Sequence, residues 1–109
     1  VLDMRDAREL NRKAIQLYDW FLKDFPRDEK VPQALFFLGF NHFELGEMEK
    51  GSEYYERLIK KYPRSPFVGE AQFSLAEYYF ENEKWVLAYN RYGSIVKNKN
   101  HRLNTYSVY

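Results

Sequence analysis

The stretch PQALFFLGFNHFELGEMEKGSEYYERLIKKYPRS, Pro32 to Ser65, decides the fold. Leu35, Leu38 and His42 form one stripe, and Phe36, Phe40 and Phe43 an adjacent one, at the three- and four-residue steps of an amphipathic helix. Gly46 breaks that run. A second helical run goes from about Glu47 to Lys61 and stops at Tyr62-Pro63, because the residue before a proline avoids helical backbone. Two short helices around a glycine turn predict a helical hairpin.

The hairpin returns before and after itself. Ala14, Gly51 and Ala88 are small residues at a constant interval of 37. Tyr18, Tyr55 and Tyr92 keep the same interval, as do Phe21, Leu58 and Ile95, then Leu22, Ile59 and Val96. Phe25-Pro26 returns as Tyr62-Pro63 and fades to Lys99-Asn100. In the other half of the unit Ala34/Ala71, Phe36/Phe73, Leu38/Leu75, Gly39/Ala76 and Phe43/Phe80 stay in phase. A period of this length is the mark of a helical repeat.

The chain has 109 residues, about three such units, with 17 basic and 16 acidic side chains and a formal net charge of +1. So balanced a chain has no overall field drawing it to nucleic acid or an anionic surface. With no cysteine, disulfides and thiolate metal sites are excluded. No apolar run reaches the roughly 18 residues of a membrane span. No signal peptide is read. The chain begins at Val1 rather than Met, so the missing signal says nothing of where the full protein lives. Nine Phe, ten Tyr and two Trp supply the large buried areas from which a thin fold can build a core.

In order, residues 2–26 read as an N-terminal helix and half-repeat, stopped by Pro26, and residues 27–31 as a polar connector. Residues 32–65 form one repeat, with Pro32 suited to a first turn. Residues 66–100 form the next, with Ser65 as a candidate cap and helices near 66–82 and 84–98. Residues 101–109 fall in register with the start of a further, truncated helix. Gly39 and Gly51 lie inside helices, where glycine costs about 1 kcal/mol relative to alanine. Their counterparts are Ala76, Ala14 and Ala88, so small residues at both places point to close approach of the two helices. A leucine at 51 or 88 should overpack that contact by roughly 1–3 kcal/mol.

This pattern resembles the tetratricopeptide repeat, whose signature runs W-x2-L-G-x2-Y, A-x3-F, P. Here it stands as Leu35-x2-Leu38-Gly39-x2-His42, Gly51-x3-Tyr55 and Pro63, then as Gln72-x2-Leu75-Ala76-x2-Tyr79 and Ala88-x3-Tyr92, with Asn100 for the proline. The N-terminal half-copy is Ala14-x3-Tyr18 and Pro26. The interval exceeds the usual 34, and both Trp positions are lost, to Leu35 and Gln72. The resemblance implies an all-α fold, a right-handed α-α superhelix or solenoid of antiparallel hairpins. The Tyr62-Pro63-Arg64-Ser65-Pro66 joint followed by Glu70-Ala71 is similar to repeats of bacterial outer-membrane assembly lipoproteins and Tol-Pal-associated proteins. It implies a periplasmic or outer-membrane-associated place.

In that family the first helices line a concave groove that takes a peptide or protein segment. The resemblance implies a groove of Gln33, Phe36, Phe40, Phe43, Glu44, Glu70, Phe73, Glu77, Phe80 and Glu81. The sequence supports this in part, since a helix apolar on two adjacent faces buries both or exposes one for use. The competing reading packs these Phe against neighbouring helices. A surface of Phe and Glu, without the Lys, Asn and Arg of the chaperone-binding members, argues against capture of an acidic C-terminal carboxylate. It points to an apolar or mildly basic ligand segment.

Lys23/Lys60/Lys97 and Arg27/Arg64/His101 repeat at the ends of second helices, where cations offset the helix dipole by about 0.3–1 kcal/mol each. A contact with anionic lipid or phosphate is the rival reading. The counterparts of Trp20 are Arg57 and Ser94, so Trp20 packs on a further segment or marks an interface. Trp85, matched by Met48, reads as core between the helices of its hairpin. His42 and His101 have no partner at metal-ligand spacing, and His42 reads as an interhelical residue. Glu47/Glu49 and Glu81/Glu83 read as solvated surface.

No phosphate-cradling loop, nucleophile elbow or HExxH is present. The expectation is therefore a non-enzyme with no cofactor, whose partner is a protein or peptide. RNA binding is disfavoured by the Glu-rich first helices. The alternative is a structural solenoid that self-associates through open ends at residues 1–10 and 106–109.

Overall fold

The computed structural model describes the backbone of residues 4–106 and the side chains of residues 5–97. It holds helices α1 (Met4–Asp24), α2 (Val31–Glu44), α3 (Met48–Lys61), α4 (Val68–Glu81) and α5 (Trp85–Tyr106), with no strand among the described residues. The fold is all-α, a run of helices in which α1 packs on α2 and α2 on α3. The chain forms two compact units, Val1–Ala71 and Gln72–Tyr109. Residues 1–3 and 107–109, parts of the two ends expected to self-associate, and the side chain of His101 lie outside the described residues.

Tyr55 is the centre of the first unit. Its ring is 1% exposed and meets Phe36 at 5.7 Å and Phe43 at 5.1 Å between centroids. Gly39 lies against it so closely that a β-carbon there would stand 2.5 Å from Tyr55 Cε1. Leu35, Leu38 and Leu58 complete this core. The stripe that carried the helical period thus becomes the buried face of α2, and the small residues are where α3 touches it.

Both hairpin turns use one device. Glu47 N–H donates to the His42 carbonyl at 2.8 Å and Gly46 N–H to Phe43 at 3.0 Å. At 37 residues' remove, Lys84 N–H donates to Tyr79 at 2.8 Å and Glu83 N–H to Phe80 at 3.1 Å. This pair of bonds closes a helix through one left-handed residue. Gly46 takes that conformation at φ 78°, and Glu83, its counterpart, takes it at φ 59°.

The joints between repeats are also matched. Asp28 Oδ1 accepts Lys30 N–H at 2.8 Å, and Ser65 Oγ accepts Phe67 N–H at 3.2 Å. Ser65 thus closes the turn ahead of α4 instead of capping the helix as expected, because α4 begins at Val68 rather than Pro66. Asp28, read as plain connector, makes the equivalent bond in the turn ahead of α2, whose N-cap residue Lys30 makes no side-chain capping bond.

The second unit departs from expectation at two places. α5 continues unbroken to Tyr106, where a joint near residue 100 and a new helix were expected. Asn100 stands there instead of the proline that ends α1 and α3, so nothing stops the helix. Trp85 is 55% exposed rather than core. It sits at the first position of α5 and meets the Phe80 ring edge-on, at 5.1 Å. Leu75, Ala76, Tyr79 and Ala88 are buried.

Candidate interaction site

The side chains expected to line a groove divide into two groups. Phe36 is buried, packed on Tyr55 and stacked on Phe67 at 5.1 Å. Phe43 is half-buried between Tyr55 and the backbone of Gly51. These two serve the hairpin. Phe40 is 43% exposed, and in the second unit Phe73 and Phe80 are 55% and 52% exposed. Gln33, Glu44, Glu70, Glu77 and Glu81 are exposed, and Glu77 accepts a hydrogen bond from the Tyr92 hydroxyl. That bond raises the Tyr92 pKa above its ordinary value.

A better-formed concavity lies between α1 and α2, with a volume of about 350 Å³. Ala14, Leu17, Tyr18, Trp20 and Phe21 line it from α1, and Gln33 and Ala34 from α2, with Lys30 beside them. Its walls are apolar. Trp20 is 52% and Leu17 63% exposed. Large apolar side chains gathered at a concave, solvent-facing place are the usual mark of an interaction surface. The structure thus places Trp20 and Gln33, expected separately, in one cleft. The remaining lining has a period that reads as ordinary core, so the sequence alone does not single it out.

Behind the cleft, polar contacts hold α1 against the hairpin. Arg12 Nη2 reaches Glu47 Oε2 at 2.8 Å, and the His42 Nδ1–H donates to Glu47 Oε1 at 2.8 Å. Glu47 is therefore a bridge, not the solvated surface expected. Hydrogen bonds from Arg12 and His42 hold its carboxyl at about 2, below the ordinary 4.5. His42 is buried and stacked on Tyr54 at 5.5 Å. The Tyr54 hydroxyl donates to Asp19 at 2.9 Å. Burial, then the Asp19 carboxylate, push the Tyr54 hydroxyl up to about 12. These contacts fix the angle of α1, hence the shape of the cleft.

Among the described residues no group of three or more acidic, His or Cys side chains is placed to hold a metal. No described helix is long and apolar enough to cross a membrane. Residues 33–65 match the family model of the tetratricopeptide repeat. No curated protein and no solved structure matches the chain. A repeat of this family is in general a non-catalytic, protein-interacting module.

Proposed function

We propose that the chain is a non-catalytic scaffold that binds a peptide or protein segment through side chains of its first helices, α2 and α4. One observation carries this reading: Phe40, Phe73 and Phe80 stay 43–55% exposed in a chain whose other first-helix aromatics, Phe36 among them, are used in packing. Exposed aromatics flanked by Glu44, Glu77 and Glu81 suit an apolar segment with a few basic residues. The family's groove-binding mode supports the same residues.

Phe40→Ala combined with Phe73→Ala, one in each unit, should abolish capture of the partner while circular dichroism shows helicity unchanged. The same set of captured proteins, identified by mass spectrometry before and after the change, would overturn the reading. The Tyr62-Pro63-Arg64-Ser65-Pro66 joint with Glu70-Ala71 supports placement in a bacterial envelope complex. Recovery of the protein from the cytosolic fraction alone would remove that placement.

A second reading, self-assembly, is favoured by the apolar exposure of Leu10 and Leu17 on α1. A concentration-independent monomer in sedimentation would exclude it.

A further inference from the structure

Where the joint between α1 and α2 meets the end of α3, inside the first unit, lies a second, smaller pocket of about 100 Å³. Leu22, Pro26, Val31 and Leu35 line it on one side, and Arg57, Lys61 and Tyr62 on the other. Val31 and Leu35 are buried, whereas Arg57 and Lys61 are exposed. The two cations stand one turn apart on α3, and neither forms an ion pair with another described residue. The Tyr54 hydroxyl, which feels the Arg57 charge, keeps its hydrogen bond for Asp19 at 2.9 Å.

The repeat does not call for this pair. At the 37-residue interval the counterparts of Arg57 are Trp20 and Ser94, and those of Lys61 are Asp24 and Asn98. Lys60, by contrast, returns as Lys23 and Lys97, so Lys60 is the cation that serves the negative end of its helix. Arg57 and Lys61 are thus two charges that neither the period nor the helix end requires, brought to one pocket.

We propose that this pocket is a binding site for one phosphate group, held by Arg57 and Lys61. Arginine and lysine donate hydrogen bonds and accept none, and no carboxylate stands among the lining residues. An anion that only accepts answers that set. The planar arginine fork takes two oxygens of a phosphate and leaves a third for the lysine ammonium, where a carboxylate has only two to offer. The volume holds a single such group, so anything the phosphate is attached to lies outside in solvent. The last carbonyls of α3 oppose an anion here, and one cation alone does not hold it. The site shares no residue with the first-helix aromatics and stands or falls apart from them.

Calorimetric titration of the whole chain, at an ionic strength fixed with chloride, tests the site. Inorganic phosphate and glycerol 1-phosphate are the probes, and acetate is the comparison. Saturable binding of phosphate at one site is expected, weakened roughly tenfold or more by Arg57→Gln and by Lys61→Gln. Arg57→Lys, which keeps the charge and loses the fork, should also weaken it. Lys60→Gln, beside the pocket but outside its lining, should not. All three positions are exposed, so the variants fold, and circular dichroism checks that they do. Tighter binding of the ester supports a phosphate carried on a larger molecule, and tighter binding of the free ion supports inorganic phosphate as the ligand. No binding, or equal binding of acetate, overturns the site. Undiminished binding by Arg57→Lys, or equal weakening by Lys60→Gln and Arg57→Gln, overturns it too and leaves an adventitious ion only.

Discussion

Gly51 of α3 meets the backbone of Gly39 in α2 so closely that a β-carbon on Gly51 would stand 2.8 Å from the Gly39 carbonyl oxygen and inside the Phe43 ring. A ring can turn aside, but a helix backbone cannot without the whole hairpin opening. Gly51→Ala should therefore destabilise, although alanine is the better helix former by about 1 kcal/mol. Gly51→Leu should lose roughly 1–3 kcal/mol or more. Urea unfolding followed by circular dichroism checks both. A rise in midpoint for Gly51→Ala would mean that propensity outweighs contact here.

Glu47 links the stability of the first unit to pH. Its carboxyl is held at about 2 in the folded chain against an ordinary 4.5, so its contribution is complete above about pH 4.5 and is lost as pH falls toward 2. Comparison of wild type with Glu47→Gln isolates it from the other carboxylates. The gap in urea midpoint should be widest near neutrality and close through that acid window. Added salt should narrow it, since the Arg12 side chain is 56% exposed. A gap undiminished near pH 2 would assign the effect to packing instead of charge.

The hairpins were legible because steric demands repeat: Gly39, Gly51 and Tyr55 have counterparts that keep size and phase, and the period exposes them. Glu47 was not, because Leu10 and Lys84 stand at its counterpart positions and its partner Arg12 is 35 residues away. Trp85 shows another limit. Its match to Met48 is sound, since Met48 is itself 37% exposed, but a shared register position does not say whether that position is buried. The site fared alike. Periodicity identified the apolar faces of α1 and α2, and only packing shows that Phe36 and Phe43 are covered while Leu17, Trp20 and Phe40 are open.

The turn at Glu83 retains a strain that its counterpart avoids. Gly46 holds φ 78° without a side chain, whereas Glu83 holds φ 59° with one. A left-handed backbone costs a non-glycine residue roughly 1–2 kcal/mol. Part of that is returned by the smaller entropy of the unfolded chain. Glu83→Gly should stabilise by about 1 kcal/mol, a rise of roughly 4 °C in thermal midpoint for a chain of this size. Gly46→Ala should act in the opposite direction by a similar amount. Equal midpoints for Glu83→Gly and wild type would show that the glutamate side chain offsets its own strain.

Gln72 stands where the preceding repeat has Leu35. Both are buried, at 6% and 1% exposure, and the Gln72 Oε1 has no hydrogen-bond partner among the described residues. An unsatisfied buried acceptor costs roughly 1–3 kcal/mol, and removing it with a side chain of similar shape is neutral or favourable. Gln72→Leu restores the repeat's own residue and should raise the thermal midpoint by about 4 °C or more. Gln72→Glu, which places a charge at the same point, should lower it and do so most above the carboxylate's titration range. A fall in midpoint for Gln72→Leu would mean that the amide has a partner in solution and is kept for it. The two substitutions together separate the loss of a polar contact from the relief of a buried one.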